Sequence, residues 1–189
     1  MKEQLRTYLN RYISLTDTEL NLFFNHLTED FFSKKEYLLK PGETCKYKYF
    51  ITKGLIRTFY IDEKGDEKIT QFAIENWWVT NMESFTLQLP SKQYLQAIED
   101  TAVLKIDKEN LEQVFAKVPK LERAFRIMTE NMLIAIQRNH DFYQKMNSKE
   151  RYEHMVKAQP KFTQRVPQYM IASYLEITPE YLSSLRKGY

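Results

Sequence analysis

The sequence predicts a mixed α+β chain: helices at the start, a β-barrel of jelly-roll type, one long helix, and a small helical unit that closes on a helix-turn-helix. Three observations carry this. Helical apolar spacing gives way near Lys35 to short aromatic and β-branched runs separated by turns, and returns after Ile106. From Leu121 onward apolar residues recur in alternating steps of four and three. The last two dozen residues hold two short amphipathic segments, each opened by a proline.

At the start, Leu5, Leu9, Tyr12 and Ile13 share one helical face, and Thr16 with Glu19 forms a capping box ahead of the stripe Leu20, Phe23, Phe24 and Leu27. Strands are expected at 37–39, 47–51 and 55–61, with Gly54 between the last two at a turn or positive φ. Asp62-Glu-Lys-Gly65 is a hairpin signal and Lys68 to Ile74 the return strand. Tyr94–Ile98 and Ala102–Ile106 are read as a final strand pair. Many short strands with regular turns suggest a barrel or jelly roll.

Asp107 can cap a short helix that ends before Pro119. The seam Leu121, Phe125, Met128, Met132, Ala135, Asn139, Phe142, Met146 then follows a heptad, which predicts a parallel dimer with Asn139 fixing its register. Asn147 and Glu150 form another capping box, and 161–166 reads as a linker. Pro167 and Pro179 are expected at first helical positions, with Thr178 as a cap. Ile171, Leu175, Ile177, Leu182 and Leu185 face inward, and Ala172 is small where the two helices cross. The domains expected are 1–118 (barrel with flanking helices), 119–146 (dimerisation helix) and 147–189 (helix-turn-helix).

The chain has 189 residues and a net charge of +3, only mildly basic, but the charge is uneven. From Lys145 onward eight lysines and arginines face four glutamates, the sign that phosphate binding requires. The single Cys45 excludes an internal disulfide, the N-terminus shows no signal peptide, and no apolar run approaches the roughly 20 residues of a membrane span. A cytoplasmic protein is expected. His26, His140 and His154 lack metal-ligand spacing, so no metal site is expected.

Lys40-Pro-Gly-Glu43, Tyr49-Phe-Ile-Thr-Lys-Gly-Leu-Ile-Arg57, the Gly65-Asp-Glu67 hairpin and the segment Val166 to Lys187 together resemble the Crp/Fnr family of bacterial transcription regulators, most of all its short members of Bacteroidetes type. The resemblance spans nearly the whole chain. It implies a cyclic-nucleotide-binding-like barrel, a dimerisation helix and a DNA-binding helix-turn-helix. It further implies double-stranded DNA, a second copy of the chain, a small-molecule effector and RNA polymerase as partners.

The departures are specific. Nucleotide-binding members carry Gly-Glu and a downstream Arg that neutralises the phosphate. Here the stretch is Met82 to Tyr94, with Glu83 lacking the preceding glycine and Ser91 or Lys92 at the arginine's place. These three are the candidate effector-pocket residues, and a cyclic nucleotide is not expected. One cysteine cannot ligate an iron–sulfur cluster, so no cofactor is evident. The turn position usually held by glycine is Glu176, an awkward backbone site. Pro179 and Ser184 replace the family's guanine-reading arginines, while Glu180 matches its acidic base-contacting position. The sequence stops at Tyr189, which leaves little or no room for a β-wing. The DNA-binding set is Gln168, Tyr169, Thr178, Glu180, Tyr181, Ser183, Ser184, Arg186 and Lys187.

Two other readings compete. A protein-interaction module of the same fold would bind protein through its helical tail, without sequence-specific DNA binding. A cupin-type enzyme would need a histidine and carboxylate cluster on adjacent strands, and no histidine lies between Lys35 and Ile106. No nucleophile–base arrangement stands out, so the chain is expected not to be an enzyme.

Overall fold

The computed structural model describes the backbone of residues 1–158 and 160–186, and their side chains except at 139, 141–144 and 161. Helix α1 (Lys2–Leu9) buries Leu5 and Leu9, and α2 (Asp17–Asn25) buries Leu20 and Phe23. The capping box at α2 is complete: Thr16 Oγ1 accepts from Glu19 N–H, and Glu19 Oε2 accepts from Thr16 N–H at 2.8 Å.

Eight strands follow: β1 (Thr28–Phe32), β2 (Tyr37–Leu39), β3 (Tyr47–Lys53), β4 (Ile56–Ile61), β5 (Glu67–Ala73), β6 (Trp78–Val79) and, after helix α3 (Met82–Leu87), β7 (Tyr94–Ala97) and β8 (Thr101–Asp107). They form two four-stranded sheets, ordered β1-β8-β3-β6 and β2-β7-β4-β5. The jelly-roll expectation therefore holds, but the final strand pair does not. β7 pairs with β2 and β4, whereas β8 pairs with β1 and β3. The reason is topological: in this sandwich the two strands, although consecutive, belong to opposite sheets, so closeness in sequence does not make them partners.

Two local features explain the turns. Gly54 sits at φ +106, and a Cβ there would lie 2.7 Å from the Thr101 backbone, so only glycine fits. In the 62–66 hairpin, Asp62 Oδ1 accepts from the Lys64 and Asp66 N–H groups at 2.9 Å each.

Helix α4 (Lys108–Lys117) is capped by Asp107, which accepts from Asn110 N–H at 2.8 Å. Helix α5 (Pro119–Gln144) follows, then α6 (Ser148–Ala158), α7 (Pro160–Arg165), α8 (Gln168–Tyr174) and α9 (Pro179–Arg186). Residues 161–165, expected as linker, are the body of α7, with Pro160 at its first position.

The chain resolves into two compact units. The first is 1–60 with 71–129; the second is 61–70 with 130–189. In the first, a single apolar cluster runs from Leu5 through Phe23, Phe50, Ile56, Leu95 and Leu104 to Leu121 and Ala124. Phe50 and Phe125 flank Trp78 at ring-centroid distances of 5.4 and 5.1 Å. Trp78 thus packs in the core, while Trp77 is exposed. In the second unit, Tyr152, Met155, Phe162, Val166, Met170, Ile171, Ala172, Leu175 and Leu182 form a small helical core.

Candidate nucleic-acid interface

α8 and α9 are joined by a turn that closes as a Schellman motif. Ile177 N–H donates to Ala172 O at 3.0 Å, and Glu176 N–H to Ser173 O at 3.2 Å. Glu176 occupies the left-handed position at φ +58, where glycine is usual. The turn forms despite that cost because both carbonyls are satisfied and Ile171, Ala172 and Leu175 are buried beside it. Thr178 then caps α9: its Oγ1 accepts from Tyr181 N–H at 3.2 Å. Pro179 is the first residue of α9, as expected, whereas Pro167 stands one place earlier than expected, as the N-cap of α8.

Leu182 anchors α9 inward at 1% exposure. Thr178, Glu180, Tyr181, Ser183, Ser184 and Arg186 are exposed, as is Tyr169 on α8. This gives an outward face of hydroxyls, one carboxylate, one guanidinium and two phenols. Ser184 Oγ is partly committed, donating to Tyr181 O at 2.7 Å. The Gln168 side chain lines a cleft of about 370 Å³ with Tyr152, Val156, Thr163, Ile171 and Arg186, and its Oε1 is buried without a partner. Lys187 lies outside the described residues.

The helical seam is divided. Leu121 is fully buried, and Phe125 and Met128, partly buried, pack on the same core. Beyond Thr129 the helix changes character: Met132, Leu133, Ile134 and Ile136 are 40–56% exposed, and Ala135 is exposed with them. Met146 is half-buried, and the side chains of Asn139 and Phe142 lie outside those described.

The expected effector residues are not brought together. Glu83 and Lys92 are exposed. Ser91 is buried, but its hydroxyl is spent on the turn, donating to Gln93 O and accepting from Gln93 N–H. The buried cation of this unit is instead Arg57, at 4% exposure, which sequence reading quoted only within a motif. Its Nε donates to Gln96 Oε1 at 2.9 Å, and its guanidinium lies 3.9 Å from the Phe59 ring centre, with Tyr94 stacked on Phe59. Arg57 and Gln96 are opposite one another across β4 and β7, a pairing invisible before the register is known.

Among the described residues no cluster of three or more histidine, cysteine or acidic side chains could hold a metal, and no helix is long and apolar enough to cross a membrane.

Comparison with known proteins bears on both units. Residues 29–118 match the cyclic nucleotide-binding domain family. The "Anaerobic regulatory protein" of Pasteurella multocida is 31% identical over 118 residues, covering 62% of this chain and 42% of that protein. The "Fumarate and nitrate reduction regulatory protein" of Vibrio cholerae is 29% identical over 163 residues, covering 80% of this chain and 64% of that protein. The chain thus spans less than half the length of the first and under two thirds of the second. Among solved structures, FixK2 from Bradyrhizobium japonicum superposes with a TM-score of 0.73 at 20% identity, over 86% of this chain and 83% of that one. The Thermus thermophilus catabolite activator protein gives 0.59 at 15%, over 93% and 84%. These two likenesses speak to the fold.

Proposed function

We propose that the chain is a Crp/Fnr-type protein: a cytoplasmic, dimeric, DNA-binding transcription regulator without enzymatic activity. The observation that carries this is the exposed face of α9, held outward by the Thr178 cap and the buried Leu182. A helix presented in this way fits the major groove of DNA. Phosphate neutralisation by the basic C-terminal region supplies most of the affinity, and side chains of α9 supply specificity. Glu180 accepts from a cytosine N4 amino group, while Thr178, Tyr181, Ser183, Ser184, Arg186 and Lys187 complete the contact surface with Tyr169.

The dimer forms along α5 beyond Thr129. An isolated chain leaves Met132 and Ala135 of the seam in water, with Ile136 beside Met132, and a second copy of the helix covers that side. Two copies imply two half-sites about one helical turn, roughly 34 Å, apart or a multiple of it. RNA polymerase is the further macromolecular partner. The barrel either senses a small molecule other than a cyclic nucleotide or has lost sensing, since Ser91 is committed to its own turn and the arginine position is unfilled.

Binding to genomic promoter fragments, measured against salt, tests this. The expected result is sequence preference with an affinity that falls steeply as salt rises. A flat response without preference would instead fit a protein-interaction module.

A further inference from the structure

The second unit contains a segment that is not part of its helical core: the hairpin 61–70, more than a hundred residues earlier in the chain. One side chain of α8 reaches it. Ser173 Oγ on α8 donates to Glu67 O at 2.6 Å and accepts from Ile69 N–H at 3.2 Å. Both backbone groups point to the same side of β5, because residues two apart in a strand share a direction. β5 is the last strand of its sheet, so that side has no neighbouring strand. Ser173 therefore satisfies an open strand edge with a single hydroxyl.

The hairpin so held is acidic. Residues 62–68 carry four carboxylates, Asp62, Glu63, Asp66 and Glu67, against Lys64 and Lys68. Lys68 bridges Asp62 and Asp66 at 3.4 and 3.6 Å, and the formal charges of residues 62–68 sum to −2. The N–H groups of Asp66 and Lys64, with Lys68, hold the Asp62 carboxyl below its usual range. α8 is only about 10 Å long, comparable to the Debye length of roughly 8 Å at physiological salt. A phosphate held by these helices feels that charge.

We propose that the 61–70 hairpin is a brake on DNA binding, clasped to α8 by Ser173 and acting through its acidic tip. The proposal rests on the DNA-reading function above. Two hydrogen bonds to one hydroxyl make a reversible clasp, so releasing it raises affinity for any phosphate backbone, whatever its sequence.

The test uses the full chain and a mixed-sequence DNA duplex, with four proteins compared: the parent, Ser173→Ala, Ser173→Thr, and Glu63→Gln combined with Asp66→Asn. Ser173→Ala tightens duplex binding about threefold to tenfold, the worth of one to two hydrogen bonds. It also speeds amide exchange at Ile69. Ser173→Thr keeps the hydroxyl and stays near the parent in both readouts. The charge variant tightens binding at low salt and converges on the parent at high salt. Faster exchange at Ile69 without tighter binding in Ser173→Ala overturns the brake, and unchanged exchange overturns the clasp. If no protein binds the duplex, the DNA-reading function falls and the brake falls with it. Binding by Ser173→Ala alone supports both.

Discussion

The two compact units use their residues differently. The barrel unit gathers 23 buried residues into one apolar cluster, supported by two sheets and the aromatic chain Phe50, Trp78, Phe125. The helices of the second unit bury nine apolar residues among those described and leave nearly all of α9 in water. One unit is built to persist, the other to present a surface. Substitutions in the barrel should therefore act on stability, and those on α9 on what the molecule binds.

Four changes sharpen that contrast. Gly54→Ala is the most severe: it combines a forbidden backbone angle with a Cβ driven into the Thr101 backbone. It should cost about 3–5 kcal/mol, read as a lowered denaturant midpoint. Leu182→Ala removes the inward anchor of α9 and should cost about 3 kcal/mol. Helical circular dichroism should fall first, with Trp78 fluorescence, a barrel signal, lost later. A single coincident transition would show that the contrast between units does not extend to their unfolding. Glu176→Gly relieves the left-handed strain at the turn and should stabilise by up to about 1 kcal/mol.

A further effect is a pH slope. Burial lowers the Lys48 ammonium to about 8. Between that value and lysine's ordinary pKa of about 10.4 the unfolded chain binds more protons than the folded one, so stability rises with pH in this window. Lys48→Met should remove that part of the rise, seen by comparing denaturant midpoints of the two proteins at both ends of the window.

Much of this was legible before the structure, and the reasons differ by element. Strands 37–39, 47–53 and 56–61 announced themselves through aromatic and β-branched runs. Four caps, at Thr16, Asp107, Asn147 and Thr178, were readable because capping depends on residues three apart in sequence. β1 was missed because Thr28-Glu-Asp-Phe-Phe32 lacks apolar alternation and takes its place through β8 alone. β6 has two residues and no period at all. The heptad seam was real as a pattern but misread at its start, since spacing reveals an apolar face and not what covers it. Leu121 is covered by its own barrel, whereas Met132 is 40% exposed. The outward face of α9 was read correctly because Leu182 and Leu185 fix which side points in. The placing of the Gln168 side chain was not legible, because it lines a cleft with residues brought from α6 and α9.

The central claim is that α9 reads DNA sequence, with Glu180 at one base pair. Genomic fragments selected by the parent protein and by Glu180→Ala test it most directly. The account predicts a roughly two-fold symmetric site for the parent, and in the variant a loss of preference confined to one symmetry-related position, worth about 1–3 kcal/mol. Identical preferences at every position in the two selections would contradict it.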